Sequence, residues 1–319
     1  MATARGANTR LLAKKESTYG VNPGGSDWRQ FPFEPPLDFG ASQQLLESPV
    51  IGVSSGRNPA DPFYDAVTVD GTIRVPLDLT DIGFWLHKMF GDPTTTGGPT
   101  DYTHVFKSGS PAVLPSFSAE VGYPEVPIYV LMTGCRAGTL TVTAAPTGRP
   151  TVSLGVLARD ATRSGTSVDS SPTLPSGYEQ FNNFQATISR NGTALGYVTA
   201  ISLTCSNNIE ALRDIGSGNS IKEALEQDVQ VSGSMTVRLA EQTLLNDSEG
   251  TTPIALSLLF QISATKSLRF DVPRAFLPRR KAVVQGRAGV DITFEFRGAN
   301  DTTAGAAFVA TLKNQTAGY

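Results

Sequence analysis

The side chains most often used in catalysis and metal binding are scarce in this sequence. Two histidines, His87 and His104, and two cysteines, Cys135 and Cys205, are scattered among 319 residues. Two histidines without neighbouring cysteines do not fit the ligand spacing of a structural zinc site. A P-loop and a dinucleotide-binding fingerprint are also missing. We therefore predict a protein that is not an enzyme and that uses no cofactor or metal, with two buried thiols and with His87 at the surface or boundary of a helix.

The helix that carries His87 follows a strand in one continuous segment, residues 66–91. Apolar residues alternate with polar or small ones over 67–77, which predicts a half-buried strand. The apolar residues then recur at helical spacing, which predicts a helix over 82–90 that ends at Gly91.

The strand pattern of this segment occurs a second time. DVQVSGSMTVRLA at 228–240 matches AVTVDGTIRVPLD at 66–78, with Gly233 aligned to Gly71 and an offset of 229 − 67 = 162 residues. Any two alternating strands resemble each other to some degree. The shared glycine and an offset of about half the chain favour an internal duplication.

The regions around the two copies are also similar. A long polar loop precedes each copy, over 43–65 and 206–227, and the second loop contains a short helical pattern, SIKEALEQ. A short helix over 241–245 is predicted after the second copy, as after the first. Asn191-Gly192 between two alternating segments predicts a β-hairpin.

Composition agrees with a protein built mainly of strands and turns. Glycine (31 residues) and proline (21) are abundant, and charged residues make up only 17%. We predict a mainly β fold with two tandem β-sandwich or β-barrel domains, each with a short flanking α-helix. The predicted boundaries are 1–160 for the first domain with its N-terminal arm, 161–178 for a linker and 179–319 for the second domain, which ends in a loose polar tail after Gly298.

Charge is segregated along the second half. Acidic residues concentrate over 210–228, and basic residues concentrate over 266–287. The two clusters are either solvated loops or patches of opposite charge that meet between subunits and set their orientation. The candidate interface residues are Glu210, Asp214, Glu223, Arg279, Arg280 and Lys281.

Two further groups of residues are candidates for contacts or for a lining surface. Trp28 lies in an arm over 21–39 and packs either against a neighbouring subunit or into the core of its own chain. The outward positions of the two repeated strands are candidates for an interface or for the wall of a lumen, and alternation does not tell which face is which: Asp70, Arg74, Asp78, Ser232 and Arg238.

Other classes of protein are disfavoured by charge and hydropathy. A net charge of −3 gives no bulk attraction to nucleic acid. No run approaches the roughly 18 apolar residues of a membrane helix. The basic start of the sequence lacks the apolar region of a secretory signal.

Several segments together resemble the tail tube (major tail) proteins of long-tailed bacteriophages and prophages. They occur in the same order as in that family and span most of the chain: LLAKKESTYG, DAVTVDGTIRVPLDLTDIGFWLHKMFGDP, YTHVFKSG, LPSFSAEVGYPEVP and ISRNGTALGYVTAISLTCSNN. The resemblance implies a virion protein, assembled in the host cytoplasm, whose rings stack into the conduit for DNA ejection.

The resemblance also implies partners. They are other copies of the chain, the tape measure protein, the tail terminator and the distal tail proteins, while genomic DNA passes through the lumen without specific binding. Two tube-like domains per chain predict a trimeric ring with pseudo-sixfold symmetry, whereas a single elaborated domain predicts a hexamer. The alternatives are a tail terminator or capsid-associated protein, and an extracellular β-sandwich binding module.

Overall fold

The computed structural model describes residues 3–52, 57–216, 218–240, 242–283 and 289–319. In that part of the chain the fold is mainly β, as predicted, with two α-helices, α1 (Ile82–Phe90) and α2 (Thr243–Glu249). The strands of the first half are β1 (Arg10–Lys15), β2 (Arg29–Gln30), β3 (Glu34–Ser42), β4 (Leu45–Leu46), β5 (Phe63–Tyr64), β6 (Thr68–Pro76), β7 (Thr94–Gly98), β8 (Asp101–Lys107), β9 (Phe117–Tyr123), β10 (Ile128–Ala144), β11 (Thr151–Ala158) and β12 (Asp160–Ser164). Those of the second half are β13 (Ala186–Arg190), β14 (Thr193–Ala194), β15 (Val198–Ser206), β16 (Glu210–Leu212), β17 (Glu223–Leu225), β18 (Gln230–Arg238), β19 (Ile254–Ser263), β20 (Lys266–Phe276), β21 (Asp291–Gly298) and β22 (Val309–Asn314).

Seven strands lie side by side in one antiparallel sheet, which we call the seven-strand sheet. Its order is β3, β6, β11, the second half of β10, β15, β18 and β21. Alternate residues of most of these strands are buried, because side chains of a strand point to opposite faces. One face therefore belongs to the hydrophobic core and the other is polar.

The remaining long strands cover the apolar face as a second layer. The first half of β10 pairs with β9 and β12, β9 pairs with β1, and β1 pairs with β2. In the second half β20 pairs with β19 and β22, β19 pairs with β13, and β22 pairs with β8. Between the strands that the structure describes, these pairs trace a branched path and not a closed ring. The arrangement is a β-sandwich, and the barrel alternative does not apply to the single chain.

The same order of pairing occurs in both halves. Phe39 pairs with Gly71 and Gly71 with Val156, while Leu203 pairs with Gly233 and Gly233 with Phe296. A small two-stranded hairpin interrupts each long loop, β4–β5 in the first half and β16–β17 in the second. Each helix follows the repeated strand, α1 after β6 and α2 after β18.

Close packing explains the glycine that the repeated strands share. A Cβ atom on Gly71 would lie 1.8 Å from the backbone oxygen of Asp38, and Gly71 has a φ of +150°. A Cβ atom on Gly233 would lie 2.3 Å from the ring of Phe296 and 2.3 Å from the backbone oxygen of Ser202. Only a residue without a side chain fits between its two neighbouring strands at these positions.

The predicted helix over 82–90 and the predicted hairpin are confirmed. The N–H of Gly91 donates to the carbonyl of His87 at 2.8 Å and closes the helix at the predicted residue. Asn191 and Gly192 both have positive φ and join β13 to β14, as a type I′ turn requires. The surface or boundary position predicted for His87 is wrong, because its side chain is buried.

Other local predictions are wrong because long-range pairing determines the structure. SIKEALEQ contains β17, which pairs with β16, and does not form a helix. The arm over 21–39 is extended, with β2 and the start of β3, and β12 reaches into the first residues of the segment 161–178, whose assignment as a linker stays a prediction. The tail after Gly298 contains β22, a strand of the second layer between β20 and β8.

Part of the predicted elements lies outside the described residues. Residues 53–56 and 217 of the long loops, Glu241 of the second predicted helix, and 284–288 of the basic cluster belong to that group.

Candidate assembly surface

The polar face of the seven-strand sheet is a continuous surface of hydroxyl and charged side chains. Four of the residues predicted as lumen or interface positions lie on it and are exposed: Asp70, Arg74, Ser232 and Arg238. They share this face because residues that pair in register across strands point the same way. The sequence pattern identified these positions correctly as outward-facing.

The polar face continues without interruption where the two halves of the chain meet. β10 and β15 pair over six residues, from Thr139 opposite Ser206 to Ala144 opposite Ile201. On the polar face, the Oγ1 atoms of Thr141 and Thr204 lie 3.1 Å apart. On the opposite face, Leu140 and Cys205 are buried in a common core.

The charges on this face are mixed and slightly acidic. Five carboxylates and three arginines of the seven strands point to it, a balance of 3 − 5 = −2 for the described residues: Glu34, Asp38, Asp70, Asp291 and Glu295 against Arg74, Arg238 and Arg297. Arg238 Nε donates to Asp291 at 3.0 Å, and this hydrogen bond raises the pKa of Arg238 above its usual value. The pair is exposed, so water and salt screen it.

Two of the predicted surface residues lie inside the chain. Asp78 is buried, and its carboxylate accepts hydrogen bonds from the backbone N–H groups of Thr80 (2.9 Å), Asp81 (2.6 Å) and Ile82 (3.0 Å). Burial raises the pKa of Asp78 to about 6. The Asp78 carboxylate therefore pairs backbone N–H groups at the start of α1 that have no partner within the helix. It does not line a surface.

Trp28 is likewise fully buried in its own chain. Its backbone N–H donates to Asp169, and its carbonyl accepts from Thr173 at 2.7 Å. Of the two alternatives for this arm, the structure corresponds to packing within the chain's own core.

The acidic cluster is partly neutralised within the chain. Glu226 and Glu223 lie 3.0 Å and 3.7 Å from the guanidinium of the buried Arg136. Asp214 pairs with Lys222 at 2.6 Å. Glu210 accepts a hydrogen bond from Gln227 at 2.5 Å. The contacts with Arg136 fix the β16–β17 hairpin to the body of the chain, whereas the other two lie within the loop that carries the hairpin.

The basic cluster is more exposed than the acidic one. Arg279 and Lys281 are exposed, whereas Arg280 is half-buried and donates to Glu295 on the polar face. The chain does not bring the basic and acidic clusters together among the described residues. A contact between them therefore remains a prediction about neighbouring subunits.

An open strand edge lies at the start of the seven-strand sheet, and sequence reasoning missed it. Among the strands that the structure describes, β3 pairs only with β6. At the other end, β21 pairs along its length with β18 and meets β20 only at Ala275 and Phe276. The two prolines in β3 obscured it as a strand, although Pro at such positions is typical of an edge.

Two further buried charged side chains are held by hydrogen bonds within the chain. Buried Glu16 accepts hydrogen bonds from Ser118 Oγ and the Gly134 N–H, at 2.6 Å and 2.7 Å, and buried Lys88 donates to the carbonyl of Ser116 at 3.3 Å. Burial lowers the pKa of Lys88 to about 7. Within the described ranges, no three His, Cys, Asp or Glu residues are grouped so that they could hold a metal ion.

The helices do not reach the length of a membrane span. Neither helix that the structure describes is long and apolar enough to cross a bilayer.

A family model described as phage tail tube protein matches residues 6–298 of the chain. No protein with a curated description matches the sequence.

Proposed function

The chain belongs to the phage tail tube protein family, and from that premise we propose that it forms stacked rings whose lumen is the conduit for DNA ejection. Membership makes it a structural protein of the virion tail, which assembles with itself and with other tail proteins. The observation that supports the ring is the seven-strand sheet, which has one polar face and an open edge at each end.

Closing such sheets side by side solves a problem that the single chain leaves open. Exposed strand edges are templates for pairing with other strands, and proteins either block them or pair them. β3 at one end and β21 at the other can both be paired if neighbouring chains continue the sheet around a closed ring. The polar faces then form the inner wall, and the core of each chain stays outside it.

The number of chains per ring follows from the internal repeat. The pairing order β3–β6–β11 corresponds to β15–β18–β21, and β10–β15 joins the two units inside one chain. We treat these units as two tandem tube-like domains, so three chains supply six units in a pseudo-sixfold ring. The alternative is a hexamer in which the whole chain acts as one domain.

The charge of the inner wall suits a conduit. A surface that lets DNA pass has to avoid the neutralisation of phosphates by Lys and Arg that drives DNA binding. With five carboxylates and three arginines, the polar face offers no net positive track. Assembly in the host cytoplasm, and contacts with a tape measure protein, a tail terminator and distal tail proteins, belong to the same proposal.

The long loops supply candidates for contacts between stacked rings. The hairpins β4–β5 and β16–β17 occur at equivalent places in the two halves. Large apolar side chains on these hairpins are exposed, among them Leu45, Tyr64 and Leu212. Exposed apolar groups at the same place in both units favour a repeated contact surface.

Negative-stain electron microscopy of the purified, concentrated protein tests the proposal. Hollow tubes of stacked rings are expected. Closed rings that never stack would instead indicate a tail terminator or a capsid-associated protein. Compact monomers at every concentration and salt would contradict self-assembly and favour a β-sandwich binding module.

A further inference from the structure

The two halves of the chain differ at one place in the sheet. β10 continues past Arg136, so that residues 139–143 lie between β11 and β15. Its counterpart β20 ends at Phe276, and residues 277–283 belong to no strand. The sheet therefore has seven strands where two complete units would give eight.

The internal correspondence identifies the residues of the missing strand. In the first half Arg136 pairs with Leu157, and in the second half Phe276 pairs with Arg297. Matching these two pairs gives the same offset for both members, 276 − 136 = 297 − 157 = 140 residues. Residues 139–143 then correspond to 279–283. Residues 202–206 of β15 correspond to 38–42 of β3, because Leu203 pairs with Gly233 as Phe39 pairs with Gly71 and 203 − 39 = 164.

We propose that residues 279–283 of one chain pair as an antiparallel strand with residues 38–42 of β3 in the next chain. This inference rests on the proposed ring and adds to it the two edges that meet and their register. Transfer of the β10–β15 register places residue 279 opposite 42 and residue 283 opposite 38. The added strand occupies the gap between β21 of its own chain and β3 of the neighbour.

The charges of the two segments are complementary. Arg279, Arg280 and Lys281 carry three positive charges, and β3 carries Glu34 and Asp38. In the proposed register Lys281 lies opposite Gly40, where an added Cβ atom would meet nothing within 4 Å. The Lys281 side chain can therefore cross Gly40 toward the carboxylates of Glu34 and Asp38 on the same face. Such an attraction between opposite charges fixes the register of the two strands more than it adds affinity.

One side chain differs in character from its counterpart. Arg280 takes the position of Leu140, which is buried on the apolar face. The long stem of an arginine can lie along apolar surface while its guanidinium reaches the edge of the sheet. The other apolar-face position, Ala282, corresponds to Val142 and needs no such arrangement.

In the isolated chain the segment lies over the polar face. Arg280 donates a hydrogen bond to Glu295, and a groove of about 790 Å³ separates the segment from side chains of β18 and β21, including Ser232 and Ser234. This contact must break before the segment can pair along the edge of β21. We therefore expect Glu295→Gln to lower the protein concentration at which rings form.

Cysteine cross-linking tests the pairing directly. Arg279→Cys and Ser42→Cys are introduced into separate chains, mixed, assembled and oxidised, so that only a bond between chains is detected. The native thiols Cys135 and Cys205 are fully buried. The matched control is Arg279→Cys with Asp38→Cys, on the same face of β3 but four residues away, or about 13 Å along the strand.

The outcomes separate this inference from the proposed function. At least roughly tenfold more cross-linked dimer is expected for the residue-42 pair than for the residue-38 control, because Cα atoms beyond about 7 Å cannot be bridged. Tubes by electron microscopy with equal or absent cross-linking in the two pairs would overturn the pairing and leave the tube function intact. A wild-type protein that forms neither rings nor tubes would overturn both.

A charge exchange provides a second test that needs no cysteine. Lys281→Asp and Asp38→Lys each place like charges at the interface, and each is expected to raise the protein concentration needed for assembly about tenfold, which corresponds to about 1.4 kcal/mol. The double variant restores the opposite pair and is expected to recover assembly. If the double variant assembles no better than the single variants, the register is refuted.

Discussion

Arg136 is a buried side chain that helps to hold the β16–β17 hairpin against the body of the chain. It is only 3% exposed, its guanidinium donates to the carbonyl of Ala224, and it lies 3.0 Å from Glu226. The ring of Tyr19 lies 4.6 Å from the guanidinium carbon on another side. Arg136→Met preserves the length of the stem and removes the charge and the donors.

The expected loss follows from the burial of both partners. Breaking a buried ion pair by removing one member costs about 3–5 kcal/mol, since the remaining charge is left without compensation. Glu226 is 14% exposed and also accepts from the N–H of Leu114 at 2.8 Å, so the lower end applies. We expect about 3 kcal/mol, or a midpoint of thermal unfolding that falls by about 4–5 °C.

A double-mutant cycle isolates the pair. Thermal unfolding is measured for Arg136→Met, Glu226→Gln and the double variant, below the concentration at which the protein assembles. A coupling energy of about 1–3 kcal/mol is expected for two residues in direct contact. Glu223→Gln is the control, because this carboxylate is 3.7 Å away and 44% exposed and should change stability by less than about 1 kcal/mol.

Hydrogen exchange shows where the effect lies. Faster exchange over 210–225, with the seven-strand sheet unchanged, is expected in Arg136→Met. Stability within about 0.5 kcal/mol of the wild type, or additive effects in the cycle, would refute the role of this pair in anchoring the hairpin.

Three further predictions concern the fold that carries the surface. Asp78→Ala should destabilise the protein by about 2 kcal/mol and Asp78→Asn by less, since the amide oxygen still accepts hydrogen bonds at the start of α1. Because burial raises the pKa of Asp78 to about 6, this group makes the wild-type protein lose stability as pH rises from about 4 to about 6. Chemical unfolding of Asp78→Asn should no longer show that contribution to the pH dependence. Burial lowers the pKa of Lys88 to about 7, so between about pH 7 and pH 10 the unfolded chain binds more protons than the folded chain, and wild-type stability rises with pH. The stability of Lys88→Met relative to the wild type should therefore fall across this window by up to about 1.4 kcal/mol per pH unit. Gly71→Ala should destabilise the protein by more than about 2 kcal/mol because its Cβ atom would meet the backbone of Asp38, whereas Gly40→Ala has open space and should cost less than about 1 kcal/mol. Equal midpoints of thermal unfolding for the two variants would contradict this prediction.

Local patterns predicted the elements whose structure depends on near neighbours. The helix over 82–90 has both its apolar stripe and the Gly91 cap in the sequence, and Asn191-Gly192 sets its own turn. The outward positions Asp70 and Ser232 followed from alternation alone, because a strand has a fixed period of two.

Features that depend on distant partners could not be predicted in this way. SIKEALEQ forms a strand because it pairs with β16 and because Arg136, far away in sequence, binds the carbonyl of Ala224. Asp78 follows the alternating strand in sequence, but the chain turns there and its carboxylate points to the start of α1. The tail after Gly298 is ordered by β20 and β8, and neither is adjacent to it in the chain.

The number of chains in one ring tests the central claim most directly. End-on views of assembled tubes by cryo-electron microscopy, with native mass spectrometry of isolated rings, give that number without reference to the register of any strand. We predict three chains per ring with pseudo-sixfold symmetry. Six chains in a true sixfold ring would contradict the assignment of two tube-like units to each chain.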